Sequence, residues 1–466
     1  MSAEWPEVKL RDVLETIIDY RGKTPPKSKT GIPVLTAASV KDGRVLRDKV
    51  SYISKETYDL VTTRGLPQKG DVLITTEAPV GEVAPMPHDR IYHITRRIMA
   101  LRGARNKIDS RFLLYVLLGR HCQCQLQRAY RGSTVPRVLK TDITGLNFKL
   151  PPLVEQEAIG RFLTSVDEKI HLNHQTNQTL EQIAQAIFRS WFVDFQPVKA
   201  KIASLQAGGS EEDALLAAMQ AISGKDEPEL TRLQAEQPEQ YAELRATTEL
   251  FPSAMQDSEL GEIPEGWTYG SLSDVANFSN NRVSKDELTL ETYISTENML
   301  ENRRGVCLDS SLPSSASVPS FEPGEILISN IRPYFKKIWL ANISGGRSPD
   351  VLGFTPRHNG TNEYLFNLLY QDRFFEYMML TSKGAKMPRG DKKAIMQFAT
   401  AVPSIDLMKH FSGHVRSSYM LAISHNRESE SLASLRDSLL PKLLSGELSV
   451  SIAKDQLTGV AEPAHV

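Results

Sequence analysis

The feature that most constrains this chain is an internal duplication: residues 109–192 lie over residues 361–444 at a constant offset of 252, with no gap. A repeat this long means two copies of one fold, which outranks any local motif. Each block opens with cap-forming side chains ahead of an apolar helix, Asp109-Ser110 before RFLLYVLLGR and Thr361-Asn362 before EYLFNLLYQDR. Leu113 meets Leu365, and Leu117 meets Leu369. Two loops then share one plan, because Gly132, Pro136 and Arg137 fall on Gly384, Pro388 and Arg389, with a basic residue before each glycine. Short strand-like runs, LNFKL and FATAV, stop at Pro151 and Pro403, and both copies then enter a long helix.

Upstream the match continues with small gaps. LPQKGDVLITTEAP (66–79) and FEPGEILISNIRP (321–333) each read as a glycine turn feeding a strand, and Trp5 leads into LRDVLE as Trp267 leads into SLSDVA. Strand and helix patterns are interspersed, so the expected fold is α+β: two tandem α/β domains and two long helices packed as an antiparallel coiled coil. The predicted boundaries are a first domain at 1–152, a spacer helix at 153–200 and an acidic helical linker at 201–262. A second domain follows at 263–403, a second helix at 404–450 and a tail at 451–466.

Positions 159, 163, 166, 170, 173, 177, 180, 184, 187 and 191 step alternately by four and three, the spacing of a coiled-coil seam. Its apolar members include Ile159, Leu163, Val166, Ile170, Leu180 and Ile187. The offset carries the pattern to a weaker seam holding Phe411, Val415, Leu432 and Leu439. In an antiparallel pair, Asn173 and Asn177 would face His425 and Ser429 and fix the register. Pro441 should bend or end the second helix.

The overall net charge of -1 hides an asymmetry. Residues 1–150 hold 26 basic and 15 acidic side chains, residues 201–262 hold 4 and 13, and residues 263–403 hold 15 of each. A first domain at +11 suits a polyanion such as DNA, and the acidic segment should face away from it. No apolar run approaches the ~18 residues of a membrane span. Met1 to Leu10 lacks the apolar stretch of a signal peptide. Cys122, Cys124 and Cys307 make neither a disulfide framework nor a CxxC zinc site. A cytoplasmic protein without membrane contact is expected.

Enzymatic signatures are lacking. No GxGxxG follows a strand and no GxxxxGK[ST] occurs, which removes the usual dinucleotide and ATP cradles. Asn330-Ile331-Arg332-Pro333-Tyr334 shares Asn, Pro and Tyr with the Asn-Pro-Pro-Tyr element of amino-methyltransferases but not its paired prolines, and reads as part of a strand. The histidines form no HExxH, so no metal site is expected.

The layout resembles the specificity subunit of type I restriction-modification systems. The resemblance is carried by EWPEVKLRDV and GEIPEGWTYGSLSDV opening the domains, RGSTVPRVLKTDITGLNFKLPPLVEQEAIGRFL closing the first, and SLLPKLLSGEL ending the second helix. It implies two target recognition domains, each reading half of a bipartite, asymmetric site in double-stranded DNA, with the paired helices setting the spacing. It further implies no catalysis in this chain. Two modification subunits and restriction/translocation subunits would be the partners and would hold S-adenosylmethionine, ATP and Mg. Two features depart from the pattern: the second domain has no net positive charge, and the 201–262 segment is longer than a link needs.

Within that reading, base edges are read by polar and basic side chains on loops, arginine suiting guanine and asparagine adenine. The candidates in the first domain are Arg21, Lys23, Thr24, Arg131, Ser133 and Arg137. In the second they are Asn280, Asn281, Arg282, Lys383, Lys386, Arg389, Lys392 and Lys393. The alternative is a coiled-coil adaptor that binds protein only, which leaves the basic domain without a partner.

Overall fold

A computed structural model describes residues 4–20, 25–132, 134–384 and 388–461. Contacts divide the chain into two compact units, Met1–His174 with His425–Val466, and Gln175–Ser424. Each contains one sheet-bearing domain and one half of each long helix.

In the first unit an antiparallel sheet runs in the order Leu14–Ile18, Ile98–Gly103, Val72–Thr76, Val80–Pro85. Alternate residues of its central strands serve opposite faces, as the two-residue period of a strand requires. Val72, Ile74, Met99 and Leu101 enter the core shared with the helices, while Leu73, Ile98 and Ala100 enter a second cluster with Leu35 and Ile94. Asp109 caps helix Ser110–Leu118 by accepting from the Arg111 and Phe112 amides at 2.9 and 3.0 Å. Helices Arg120–Arg128 and Lys140–Thr144 follow, and strand Asn147–Lys149 pairs with Glu7–Lys9.

The second unit repeats this plan. Its sheet runs Ala276–Phe278, Val351–Pro356, Ile326–Ser329, Ile338–Leu340, and its helices Asn362–Tyr370, Asp372–Leu380 and Lys392–Met396 sit 252 residues on from their counterparts. One expected cap is replaced. Thr361 donates to the His358 carbonyl, and Ser412 Oγ on the second long helix accepts the Tyr364 amide at 3.1 Å instead.

The long helices are Leu153–Phe192 and Ile405–Ser445, of 40 and 41 residues. In the first unit Ile159, Leu163, Val166 and Ile170 are buried in one core with Leu432 and Leu439. Asn173 Nδ2 donates to Glu428 Oε2 at 2.8 Å and to Ser429 Oγ at 3.3 Å. Asp167 accepts from Tyr115 Oη and from Arg436, each at 2.6 Å. In the second unit Phe411 and Val415 are buried with Ala184, Phe188 and Trp191, and Asn177 Nδ2 donates to the Ala422 carbonyl at 3.1 Å. Rising numbers on one helix meet falling numbers on the other in both units, so each half of the pair is antiparallel. Leu180 and Ile187 depart from the expected seam: both are half-buried, and Phe188 takes the central place, its ring 5.6 Å from that of Phe411. A straight helix drifts by about 20° per heptad against a 3.5-residue repeat, and four heptads from Ile159 rotate the apolar stripe onto the next residue.

The helix boundaries also differ from expectation. The first helix ends at Phe192 rather than 200, because Phe195 is left-handed at φ 54 and turns the chain into a separate helix, Gln196–Gln206. The second continues through Pro441 to Ser445, since a proline this near the end removes one hydrogen bond while buried Leu439 and Leu443 still anchor the last turn. Residues Val450–Ala461 form a helix rather than a tail, with Val450 and Ala453 in the first unit's core. The acidic segment folds as helices Glu211–Ser223, Glu227–Glu236 and Pro238–Glu249 beside Gln196–Gln206. Within the second unit Phe251 anchors it to the first long helix, meeting the Trp191 ring edge-on at 5.3 Å, and the Phe251 carbonyl accepts from Lys201 Nζ at 2.5 Å. Among the described residues no helix is long and apolar enough to cross a membrane.

Two outcomes follow. Truncating Leu163 to Ala should cost about 2–5 kcal/mol and Phe188 to Ala about 3–5 kcal/mol, read from denaturant midpoints. The two units should also respond oppositely to pH. Burial lowers the pKa of His93, stacked on Tyr20 at 4.9 Å, from 6.5 to about 4. The unfolded chain then binds more protons, so the first unit loses stability as pH falls through that window. Burial raises the Glu181 carboxyl from 4.5 to about 7, so the folded state retains a proton and the second unit loses stability as pH rises through that window. Denaturant midpoints between pH 4.5 and 6.5 should lose the first slope in His93→Phe and the second in Glu181→Gln.

Candidate nucleic-acid interface

In each unit three loops are tied together by backbone hydrogen bonds at one end of the main sheet. In the first they are residues 77–79 and 95–97 and the described parts of a third loop, 131–132 and 134–137. Arg131 and Arg137 exchange amide-to-carbonyl bonds of 2.9 and 3.0 Å, Val138 N donates to Thr76 O at 3.0 Å, and Thr76 N donates to Arg97 O at 2.9 Å. Glu77 bridges to Arg137. Gly132 is set by turn geometry, since its φ is +91 and an added Cβ would stand 2.8 Å from the Val135 carbonyl oxygen.

The second unit builds the same cluster from residues 330–337 and 348–350 and the described parts of a third loop, 383–384 and 388–391. Lys383 and Arg389 exchange the equivalent bonds at 2.9 and 3.0 Å, Ile331 bridges to Arg389, and Asn330 N donates to Asp350 O at 2.8 Å. Asn330 Nδ2 adds a bond to Gly390 O at 3.3 Å. Gly384 is also left-handed, at φ 102.

The structure therefore brings together Arg131 and Arg137 in one unit, and Lys383 and Arg389 in the other. Their electrostatic settings differ. Arg131 pairs with Asp142 at 3.1 Å, and Arg137 is exposed with no ion pair among the described residues. Lys383 pairs with Asp391, which holds that carboxyl below its ordinary range, and Arg389 pairs with Asp350 at 3.3 Å. Lys392 and Lys393 are exposed on the short helix that Asp391 caps, with Lys392 Nζ 6.0 Å from the Phe278 ring centre. Asn280 and Asn281 are exposed, but no hydrogen bond or bridge among the described residues links them to the three loops. Arg282 donates to Ser317 Oγ and O at 2.8 and 2.6 Å, so its guanidinium braces a strand pair. Arg21, Lys23, Thr24, Ser133 and Lys386 lie outside the described residues.

Sequence reasoning missed three side chains of these clusters. Arg97, in the loop before strand Ile98–Gly103, pairs with Glu77 at 3.1 Å. Arg332 and Tyr334 stand exposed on the 330–337 loop. The expectation that Asn330 to Tyr334 continues a strand is corrected: the strand ends at Ser329, Arg332 is left-handed at φ 50, and Pro333–Phe335 form a 3-10 turn. The Arg-Pro pair directly after an apolar strand was the available signal, because proline cannot extend a paired strand. Among the described residues no group of three or more His, Cys, Asp or Glu side chains could hold a metal ion.

Residues 2–182 match the family model of the type I restriction modification DNA specificity domain. The type I restriction enzyme HindI specificity subunit of Haemophilus influenzae is 29% identical over 399 residues, covering 82% of this chain and 87% of that protein. The MjaIX specificity subunit of Methanocaldococcus jannaschii is 23% identical over 410 residues, covering 82% of this chain and 78% of that protein. In fold, the chain is similar to the S subunit of the type I restriction-modification system from M. genitalium, with a TM-score of 0.53 at 14% identity over 95% of this chain and 96% of that one. The duplicated sheets, the paired long helices and these relatives agree: over most of its length the chain is similar to type I restriction-modification specificity subunits, and residues 2–182 match the model of their DNA specificity domain.

Proposed function

We propose that this chain is the DNA-recognition subunit of a type I restriction-modification enzyme, in which each three-loop cluster reads one half of a bipartite, asymmetric site. The observation that carries the reading is the pair of clusters itself. One backbone scaffold occurs in both units, yet its exposed side chains differ, which is what two half-sites of different sequence demand. The first domain's +11 charge supplies attraction to phosphate, and base edges supply the choice of sequence. A protein-only adaptor would leave these loops and that charge without a partner.

In this reading the chain does no chemistry. Two modification subunits dock on the long helices, restriction/translocation subunits complete the enzyme, and S-adenosylmethionine, ATP and Mg belong to those partners. The assembly works in the cytoplasm. The long helices, of 40 and 41 residues and each about 60 Å long at 1.5 Å per residue, set the distance between the two contacts with DNA.

Exchanging residues 1–152 for those of a relative with another target should change one half of the sequence selected from a random DNA pool by the reconstituted complex. A change in both halves would refute the two-reader model. Inserting seven residues into the middle of each long helix adds about 10 Å and should widen the gap between the halves by about three base pairs. An unchanged gap in the selected sequences would refute the spacing role.

A further inference from the structure

The two clusters share a backbone but distribute their ion pairs differently, and this decides which arginine each leaves available. In the first unit the acid is Glu77, on the first loop, and Arg97 of the second loop occupies it at 3.1 Å. Arg137 of the third loop is exposed beside that pair, with no ion pair among the described residues. In the second unit the acid is Asp350, on the second loop, and it takes Arg389, the counterpart of Arg137, at 3.3 Å. Among the described residues Arg332, on the first loop, has no acidic partner; its guanidinium makes one polar contact there, Nη1 to Tyr334 Oη at 3.4 Å, an exposed contact.

Backbone geometry holds Arg332 in place. It is left-handed at φ 50, a conformation a residue with a side chain enters at a cost, and Ala78, its counterpart before Pro79, is also left-handed at φ 46. The neighbouring Ile331 bridges to Arg389, and Asn330 is fixed to the Asp350 and Gly390 carbonyls at 2.8 and 3.3 Å. Pro333 is buried under the turn. The loop is thus anchored on both sides of an exposed guanidinium, with the exposed Tyr334 ring two residues on. A guanidinium engaged by a carboxylate brings no net charge to DNA and must first break that pair, whereas a free one on an anchored loop offers its paired donors to the O6 and N7 acceptors of guanine.

We infer that Arg332 is a base-reading arginine of the second domain, taking the part that Arg137 takes in the first, and that Arg389 instead holds the loops together through Asp350. The inference rests on the DNA-recognition reading above, and it assigns the two half-sites to arginines presented from different loops.

The test is selection of bound DNA from a random pool by the full chain reconstituted with its modification subunits, as wild type and as Arg332→Ala, Arg332→Lys, Arg389→Ala and Arg137→Ala. Arg332→Ala and Arg332→Lys should both relax preference at a guanine position in the half-site that exchange of the first domain leaves unchanged, by about 5- to 100-fold. Lysine keeps the charge and loses the fork, so Arg332→Lys should retain more overall affinity than Arg332→Ala. Arg137→Ala should relax the other half, and Arg389→Ala, which releases the loop anchor, should relax no position other than the one that Arg332 reads. Base preference that survives both Arg332 variants, or a uniform loss of affinity with the same selected sequence, would overturn the assignment. A wild-type complex that selects no bipartite sequence would instead sink the underlying DNA-recognition reading.

Discussion

The antiparallel seam between the two long helices is the constraint on which the rest of the structure depends. Neither domain closes its core alone: Phe112 and Leu113 pack with Leu163 and Val166 from one helix and Leu439 and Leu443 from the other. In the second unit Tyr364 and Leu365 do the same with Phe188, Phe192, Phe411 and Val415. Because each helix serves both cores, the pairing of the helices and the folding of the domains are one problem. Asp167 shows the linkage in a single side chain, since it joins Tyr115 of the domain to Arg436 of the opposite helix. Asn173 and Asn177 penalise a slipped register, because moving either along the seam would leave its buried amide without a partner.

Duplication fixed the backbone and left the chemistry free to vary. At one equivalent pair of positions the first unit has Tyr115 against Asp167 and the second Asn367 against Tyr419, so the phenol has moved from the domain helix to the long helix while the hydrogen bond persists, at 2.6 Å in the first unit and 3.0 Å in the second. The cap that Asp109 gives locally is replaced by Ser412 reaching across from the long helix. The three-loop clusters follow the same rule, with Glu77 and Arg97 in one answered by Asp350 and Arg389 in the other. On the DNA-recognition reading proposed above, this separation lets one duplicated scaffold hold loops whose side chains differ between half-sites.

Much of this was legible beforehand because it is periodic or repeated. The offset of 252 located equivalent helices residue for residue, and the four-three stepping found Ile159, Leu163, Val166, Ile170, Phe411, Val415, Leu432 and Leu439 as buried seam members. The same stepping misplaced Leu180 and Ile187, since a fixed heptad ignores the gradual rotation of a straight helix. Composition described the 201–262 segment as acidic and helical but did not reveal how it joins the core of the second unit, through Phe251 against Trp191. At the clusters, residue type nominated Arg131, Arg137, Lys383 and Arg389, and could not distinguish an engaged guanidinium from a free one.

By itself, then, the sequence determined that this chain holds two copies of one α+β domain, each continued by an amphipathic helix, because repeats and apolar periods are properties of order along the chain. Only the tertiary structure decided which cations are spent on neighbouring carboxylates. Glu77 meets Arg97 across 20 residues and Asp350 meets Arg389 across 39, pairings that arise from strands laid side by side. Charge balance within a loop cluster is a matter of which segments the sheet brings together, and no local reading of either segment contains it.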